Sequence, residues 1–244
     1  NDTVAGILVE PLVGSNGVLT PPKDYLPRLK EIAHDHGAVL ICDEVMTGFG
    51  RTGEWFGSDL FDVVPDIITM AKGLTGAYQP LAATTVTPEI AEHFEENLLN
   101  HGHTFFGHPV ACAAGVAAIE TYREEDLIDN ARKMGEYLTE KLNEVADRHP
   151  SVGERRGIGL HQGLELTKNP DERVPFAERI DKVSGRKTVI DEVAAHAYDN
   201  GVYFYSSMNT LIITPPLGID KEHVDTAIAA LDDALEISDA QVNT

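Results

Sequence analysis

The chain reads as an α/β protein, a mainly parallel sheet followed by a smaller α+β region. Three observations carry that expectation. Short apolar runs of strand length, at residues 4–9, 39–42 and 67–70, are separated by stretches long enough for crossovers. Two of the runs lead into one isolated charge each, Asp43 after the second and Lys72 just past the third. Open α/β sheets gather their chemistry beyond the carboxyl ends of their strands. From about residue 124 the pattern becomes half-exposed strands between helices, which suits α+β packing.

Taken in order, Val4–Val9 is a buried strand, and Glu10 follows it. The chain opens on this strand almost without a leader, so its sheet neighbours on one side are expected from sequence upstream. Gly14, Asn16 and Gly17 make a turn-rich stretch, and Pro21-Pro22 introduces a helix carrying Tyr25, Leu26, Leu29, Ile32 and Ala33 on one face. Gly37 ends that helix and Val39–Cys42 follows, a parallel βαβ unit. Gly48–Gly53 is a glycine-rich loop with one arginine, Arg51; a strand at 80–86 and a helix after Thr87-Pro88 come next. His101–Pro109 is a polar loop, and the alanine-rich helix over 110–122 must pack closely.

Beyond it, 126–149 reads as a long amphipathic helix with Leu127, Ala131, Met134, Leu138, Leu142 and Val145 inward. Residues 158–166 alternate like a half-exposed strand, and 168–185 read as a charged loop. A helix over 186–199, strands at 202–205 and 211–214, and a last helix from Asp220 to about Glu236 complete the chain.

Composition sets the outer limits. The chain has 244 residues, 42% of them hydrophobic, enough for a packed core. No apolar run approaches the ~20 residues that span a bilayer, and no signal-peptide pattern opens the sequence, as expected of a cytoplasmic protein. Forty acidic against 19 basic residues leave a net charge of −21, which excludes a phosphate backbone as partner. The acid is spread along the helices, like the solvated surface of a halophilic protein. Cys42 and Cys112 sit in apolar contexts and read as buried free thiols of a reducing compartment rather than a disulfide.

Asp43 alone could be a turn or cap residue, and Lys72 alone a surface lysine. Four apolar residues followed by Asp-Glu also occur in nucleotide hydrolases, but no Gly-x4-Gly-Lys-Ser/Thr loop is present. Placed together past neighbouring strands, the pair suggests other chemistry. An enclosed lysine can form a Schiff base with a carbonyl. A carboxylate beside a pyridinium nitrogen keeps that ring able to accept electrons. This is the logic of pyridoxal phosphate. His101, His103 and His108 match no zinc spacing and read as loop packing.

Here the residues become recognisable. Cys42-Asp-Glu-Val-Met-Thr-Gly-Phe-Gly-Arg-Thr-Gly53 and Pro65-Asp-Ile-Ile-Thr-Met-Ala-Lys-Gly-Leu74 resemble the class III (subgroup II) pyridoxal phosphate aminotransferases of fold type I. Glu10-Pro11, Gln79-Pro-Leu81, His103-Thr-Phe-Phe-Gly-His-Pro109, Arg156-Gly-Ile-Gly159 and Pro215-Pro-Leu217 extend the resemblance over nearly the whole chain. It implies that Lys72 holds the cofactor as a Schiff base and moves a proton between the substrate carbon and the cofactor's C4′. Asp43 would bind the pyridine nitrogen and Val45 pack on the ring. Thr104 would bind the phosphate in the neighbouring subunit, which implies a homodimer. Glu10 would support Asp43, and Met46 stands where relatives carry a glutamine that bonds the cofactor's ring oxygen.

The resemblance also implies that residues 1–123 are the carboxyl part of a large cofactor-binding domain and 124–244 a small domain. Family chains are about twice as long, so this one looks like the carboxyl half, expected to be poorly stable and nearly inactive alone. Members using ornithine or 4-aminobutyrate carry an arginine–glutamate pair where this chain has Ile212 and Ser15. That departure is similar to the ω-amino acid:pyruvate branch, with an amine or ω-amino acid as donor and a keto acid, pyruvate, as acceptor. A related aminomutase or decarboxylase, and a non-catalytic remnant acting as a dimerisation partner, are the competing readings.

Overall fold

The computed structural model describes residues 3–169 and 171–242. Parallel pairing begins the fold. β1 (Gly6–Val9) lies beside β2 (Val39–Asp43), with Gly6 opposite Val39 and Val9 opposite Cys42. The crossover helix α1 (Tyr25–Asp35) carries Pro27 in its first turn, where a missing N–H breaks no helical bond. It buries Leu26 and Ala33, while Tyr25 and Ile32 stay exposed. It ends at Gly37 in the left-handed region, where the Gly37 and Ala38 N–H groups take up the last carbonyls.

β3 (Ile67–Met70) is parallel to β2, with Asp43 opposite Thr69. β4 (Ala83–Val86) pairs antiparallel with β3, so the first sheet runs β1–β2–β3–β4. Single turns of 3-10 helix occupy Gly57–Phe61 and Lys72–Thr75. The expected strand at 80–86 is shorter at its start, because pairing begins at Ala83. Helices α2 (Pro88–Glu96) and α3 (Pro109–Glu124) both open on proline. In α3 only Ala111, Gly115 and Tyr122 are buried, and Val110 and Val116 are exposed. The close packing expected of that helix is thus confined to one stripe.

The later part is organised around α4 (Leu127–Arg148) and a second sheet. Ala131, Leu138, Leu142 and Val145 of α4 enter the core, as the heptad-like spacing requires. β5 (Val152–Ile158) and β6 (His161–Asn169) form an antiparallel hairpin, Ile158 opposite His161. This corrects the single half-exposed strand expected over 158–166. Gly159 and Leu160 turn the chain, and β6 is buried on both faces along most of its length. The reason is remote in sequence: Val18 is wholly buried and lies where a side chain on Gly163 would point. A second correction concerns 168–185, which holds β7 (Val174–Pro175), paired to β6, and the short helix α5 (Arg179–Val183).

Helix α6 (Val189–Asp199) starts later than 186, at a capping box made by Thr188 and Asp191. β8 (Tyr205–Ser207) and β9 (Thr210–Ile213) complete the order β5–β6–β9–β8. Asp220 caps α7 (Lys221–Asp239) by accepting the His223 N–H at 2.9 Å. Leu164, Leu166, Ile190, Val193, Leu211, Leu231 and Leu235 form the core of this part.

Two compact units result: Asn1–Leu12 with Pro21–Asp129, and Val13–Thr20 with Asn130–Thr244. Where the sequence suggested one cut after residue 123, the division falls after Asp129 and assigns 13–20 to the later unit. No helix among the described residues is long and apolar enough to cross a membrane.

Candidate active site

Every residue named as a site candidate belongs to the first unit. β1, β2 and β3 run parallel, so their carboxyl ends share one edge of the sheet. Glu10 is one step past the Val9–Cys42 pair, Asp43 closes β2 opposite Thr69, and Lys72 comes three residues after Thr69. Parallel strands lie about 4.8 Å apart, so register alone brings the carboxylates and the amine to the same edge.

Asp43 is half-buried, and one of its oxygens accepts the Val45 N–H at 3.0 Å. That bond closes a local turn and fixes the Val45 backbone two residues past the carboxylate. The other oxygen has no partner among the described residues and can meet a protonated ring nitrogen. Lys72 is exposed, and its Nζ contacts Met46 Sδ. A thioether does not neutralise an amine, so no carboxylate competes with an aldehyde for it among the described contacts. An open concavity of about 570 Å³ adjoins the lysine, lined by Lys72, Thr75, Gln79 and Leu81 among others. The groups at this sheet edge are of the kinds pyridoxal phosphate needs: the Lys72 amine for the aldehyde, the Asp43 carboxylate for the ring nitrogen, and apolar Val45 and Met46 for the ring.

Thr104 does not join this group in the described contacts. It lies on an exposed segment whose rings pack on one another, His101 on His103 and both on Phe106, with centroids 4.9–5.6 Å apart.

Sequence reasoning missed two residues that tie the strands, Glu44 just past the carboxyl end of β2 and Asp66 just before the start of β3. Glu44 is wholly buried and accepts the Gly57 and Ser58 N–H groups at 2.8 Å each, as well as the Thr47 hydroxyl. Strand alternation was the available signal: if Asp43 faces the site, Glu44 faces away from it. Asp66 accepts the Leu40 N–H at 2.7 Å and lies 2.9 Å from His34 Nε2. Burial pushes its carboxyl up, but these contacts and Lys30 outweigh it and hold Asp66 below the ordinary value. Cys42 goes the other way: burial, then Glu44 and Asp66, push its thiol up to about 12. It is an inert core group beside a reactive strand end.

Arg51, the one arginine of the glycine-rich loop, has its guanidinium pulled down by burial, with Tyr122 opposing. Tyr122, from α3, donates from its hydroxyl to the Gly73 carbonyl at 2.6 Å. The residue after the candidate lysine is therefore fixed from a helix 49 positions away.

Comparison with known proteins places the chain in a family. Residues 1–235 match the family described as aminotransferase class-III. The chain is 38% identical over 243 residues to a putrescine–pyruvate aminotransferase of Pseudomonas aeruginosa, covering 99% of this chain and 51% of that protein. It is similar to the structure of taurine:2-oxoglutarate aminotransferase from Bifidobacterium kashiwanohense, in complex with PLP and glutamate. That match has a TM-score of 0.92 and 37% identity, over 97% of this chain and 52% of that one. An amine transaminase from an uncultivated Pseudomonas species, in its PLP-bound form, matches with a TM-score of 0.90 and 38% identity, covering 97% and 53%. The chain spans about half the length of these relatives. By its fold, its motifs and this match, the chain belongs to the class-III aminotransferase family.

Proposed function

We propose that this chain supplies the lysine and the ring-binding carboxylate of a pyridoxal phosphate-dependent transaminase. The enzyme would move an amino group from an amine or ω-amino acid to pyruvate. The observation that carries the reading is the placement of Asp43 and Lys72 past adjacent parallel strands, the amine beside Met46. When bound, pyridoxal phosphate supplies an aldehyde that condenses with amines and a ring that accepts the electron pair left as a substrate proton departs. Lys72 Nζ would hold the cofactor through its aldehyde and, when freed by substrate, would act as the base that moves the substrate proton. Asp43 keeps the ring nitrogen protonated, Glu10 adds negative charge beside Asp43, and Val45 and Met46 cover the ring. Thr104 binds the phosphate from the neighbouring subunit of a homodimer in the cytoplasm. Exposed Leu98, Leu99, Phe105 and Phe106 near it support such an apolar contact. The surplus acid suits a halophilic surface.

Pyruvate is favoured over a dicarboxylic acceptor by Ile212 and Ser15. Ile212 is buried in β9, opposite Gly163, and Ser15 is exposed, so neither offers a charge to a second carboxylate. The test incubates the native protein carrying this chain with putrescine, β-alanine or taurine, and with pyruvate or 2-oxoglutarate. Alanine formation supports the proposal. Glutamate formation alone would move the enzyme to the 2-oxoglutarate users. Product formed without any keto acid would favour the aminomutase or decarboxylase reading, and absence of a Lys72-linked chromophore the non-catalytic one.

A further inference from the structure

Lys72 adopts a φ of 43°, in the left-handed region that side chains other than glycine enter at a steric cost. Such conformations persist where the surroundings over-determine them. Local bonds close the turn: Leu74 N–H to the Ala71 carbonyl at 2.9 Å, Ala77 N–H to Lys72 at 3.0 Å, and Gly76 N–H to Gly73 at 3.1 Å. These bonds satisfy the turn but do not attach it to the rest of the unit.

Buried Leu74 and Thr75 pack beside Gly115 of α3, and a directional tie comes at Gly73. Its carbonyl, besides receiving Gly76, accepts the Tyr122 hydroxyl at 2.6 Å. The Gly73 Cα approaches Phe49; a methyl group added there would come within 2.8 Å of the Phe49 Cβ. Only glycine allows that approach. Phe49 and Tyr122 stack on each other, centroids 6.1 Å apart at 29°. Trp55 abuts Tyr122 edge-on at 6.3 Å, Phe56 abuts Phe49 at 5.6 Å, and Arg123 lies over Trp55 at 5.6 Å. The peptide after the lysine thus lies against a stacked pair, bonded by the phenol and touching the phenylalanine, and each ring has further aromatic contacts. Burial pushes the Tyr122 phenol above its ordinary range, with Arg51 opposing, so it remains a donor in neutral solution.

We propose that Tyr122 is a positioning residue for Lys72. Its hydrogen bond to the Gly73 carbonyl, with Phe49 beneath Gly73, holds the left-handed lysine backbone so that the amine stays at the sheet edge beside Met46. This rests on Lys72 being the amine that holds pyridoxal phosphate. The hydroxyl touches neither cofactor nor substrate and acts through the lysine backbone.

The test is Tyr122→Phe in the native protein carrying this chain, which removes one oxygen and keeps the ring stack. Hydrogen exchange reads the brace without any cofactor. The amides of Leu74, Gly76 and Ala77 exchange roughly fivefold to tenfold faster, the factor set by one hydrogen bond, while β6 and β9 amides are unchanged. With cofactor, covalent fixation of pyridoxal phosphate to Lys72 by borohydride slows, and kcat falls about tenfold while KM stays within about twofold. Phe49→Leu, which keeps the phenol and thins the packing under Gly73, gives the same pattern at smaller amplitude. Unchanged exchange at residues 74–77, or acceleration spread evenly over the first unit, overturns the positioning role. If wild-type protein fixes no pyridoxal phosphate at Lys72, the functional reading fails, while the exchange arm still decides whether Tyr122 braces the turn.

Discussion

Glu44 Oε1 accepts the Ser58 N–H at 2.8 Å, while its chain neighbour Asp43 spends one oxygen on Val45 and leaves the other open. Two adjacent carboxylates at one strand end therefore do opposite work. Asp43 faces the sheet edge, and Glu44, wholly buried, ties the loop leading to residues 57–58 back to β2. Replacing Glu44 by alanine strands two backbone donors in the core. The expected loss of stability is roughly 2–4 kcal/mol, read from the shift of the denaturant midpoint. A loss below about 0.5 kcal/mol would show that water replaces the carboxylate without cost.

Lys72 allows activity and backbone strain to be separated. Lys72→Ala and Lys72→Gly should each lower transamination by roughly a thousandfold or more and remove the visible absorbance of lysine-bound pyridoxal. They should differ in stability, because alanine keeps the steric cost at a φ of 43° and glycine does not. The glycine variant is expected to be more stable than the alanine variant by about 0.5–1 kcal/mol, after its greater unfolded-state entropy is allowed for. Equal melting temperatures would mean the turn relaxes once the amine is gone.

Asp66 should govern part of the acid limb of stability. Its carboxyl is held below the ordinary value of about 3.9 in the folded chain, which means the folded state favours the charged form. Its contribution is fully present above that ordinary value and is lost as pH falls through the lower, folded one. Asp66→Asn should therefore flatten the decline of stability below about pH 4. An unaltered acid limb in urea titrations would place the effect elsewhere.

The two thiols should react at different rates. Cys42 is buried, with its thiol pushed up to about 12, and Cys112 is exposed. At neutral pH an alkylating reagent should modify Cys112 and spare Cys42 until the chain is unfolded. Peptide mass mapping after brief labelling measures this. Modification of Cys42 at the rate of Cys112 would mean that β2 opens readily.

The strand ends were legible because their signals are local. An apolar run ending in charge needs only a few consecutive residues, and β1, β2 and β3 fell where such runs were read. Family motifs added roles for Asp43, Lys72 and Thr104 that composition alone does not supply. The 158–166 stretch was misread for a related reason. Alternation reports one covered face, and nothing nearby in the sequence reveals that residues 13–20 cover the other.

By itself, then, the sequence determined the strands of the first sheet, the charges at or just past the ends of two of them, and the family the chain belongs to. The tertiary structure alone decided which side chains support those charges. The Tyr122 hydroxyl reaches Gly73 across 49 positions, Met46 meets Lys72 across 26, and Arg156 donates to the Gly17 carbonyl across 139. The physical reason is one of range. Hydrophobic period and turn chemistry act over a few residues, whereas a buried hydrogen bond depends on which backbone and side-chain groups packing brings within about 3 Å.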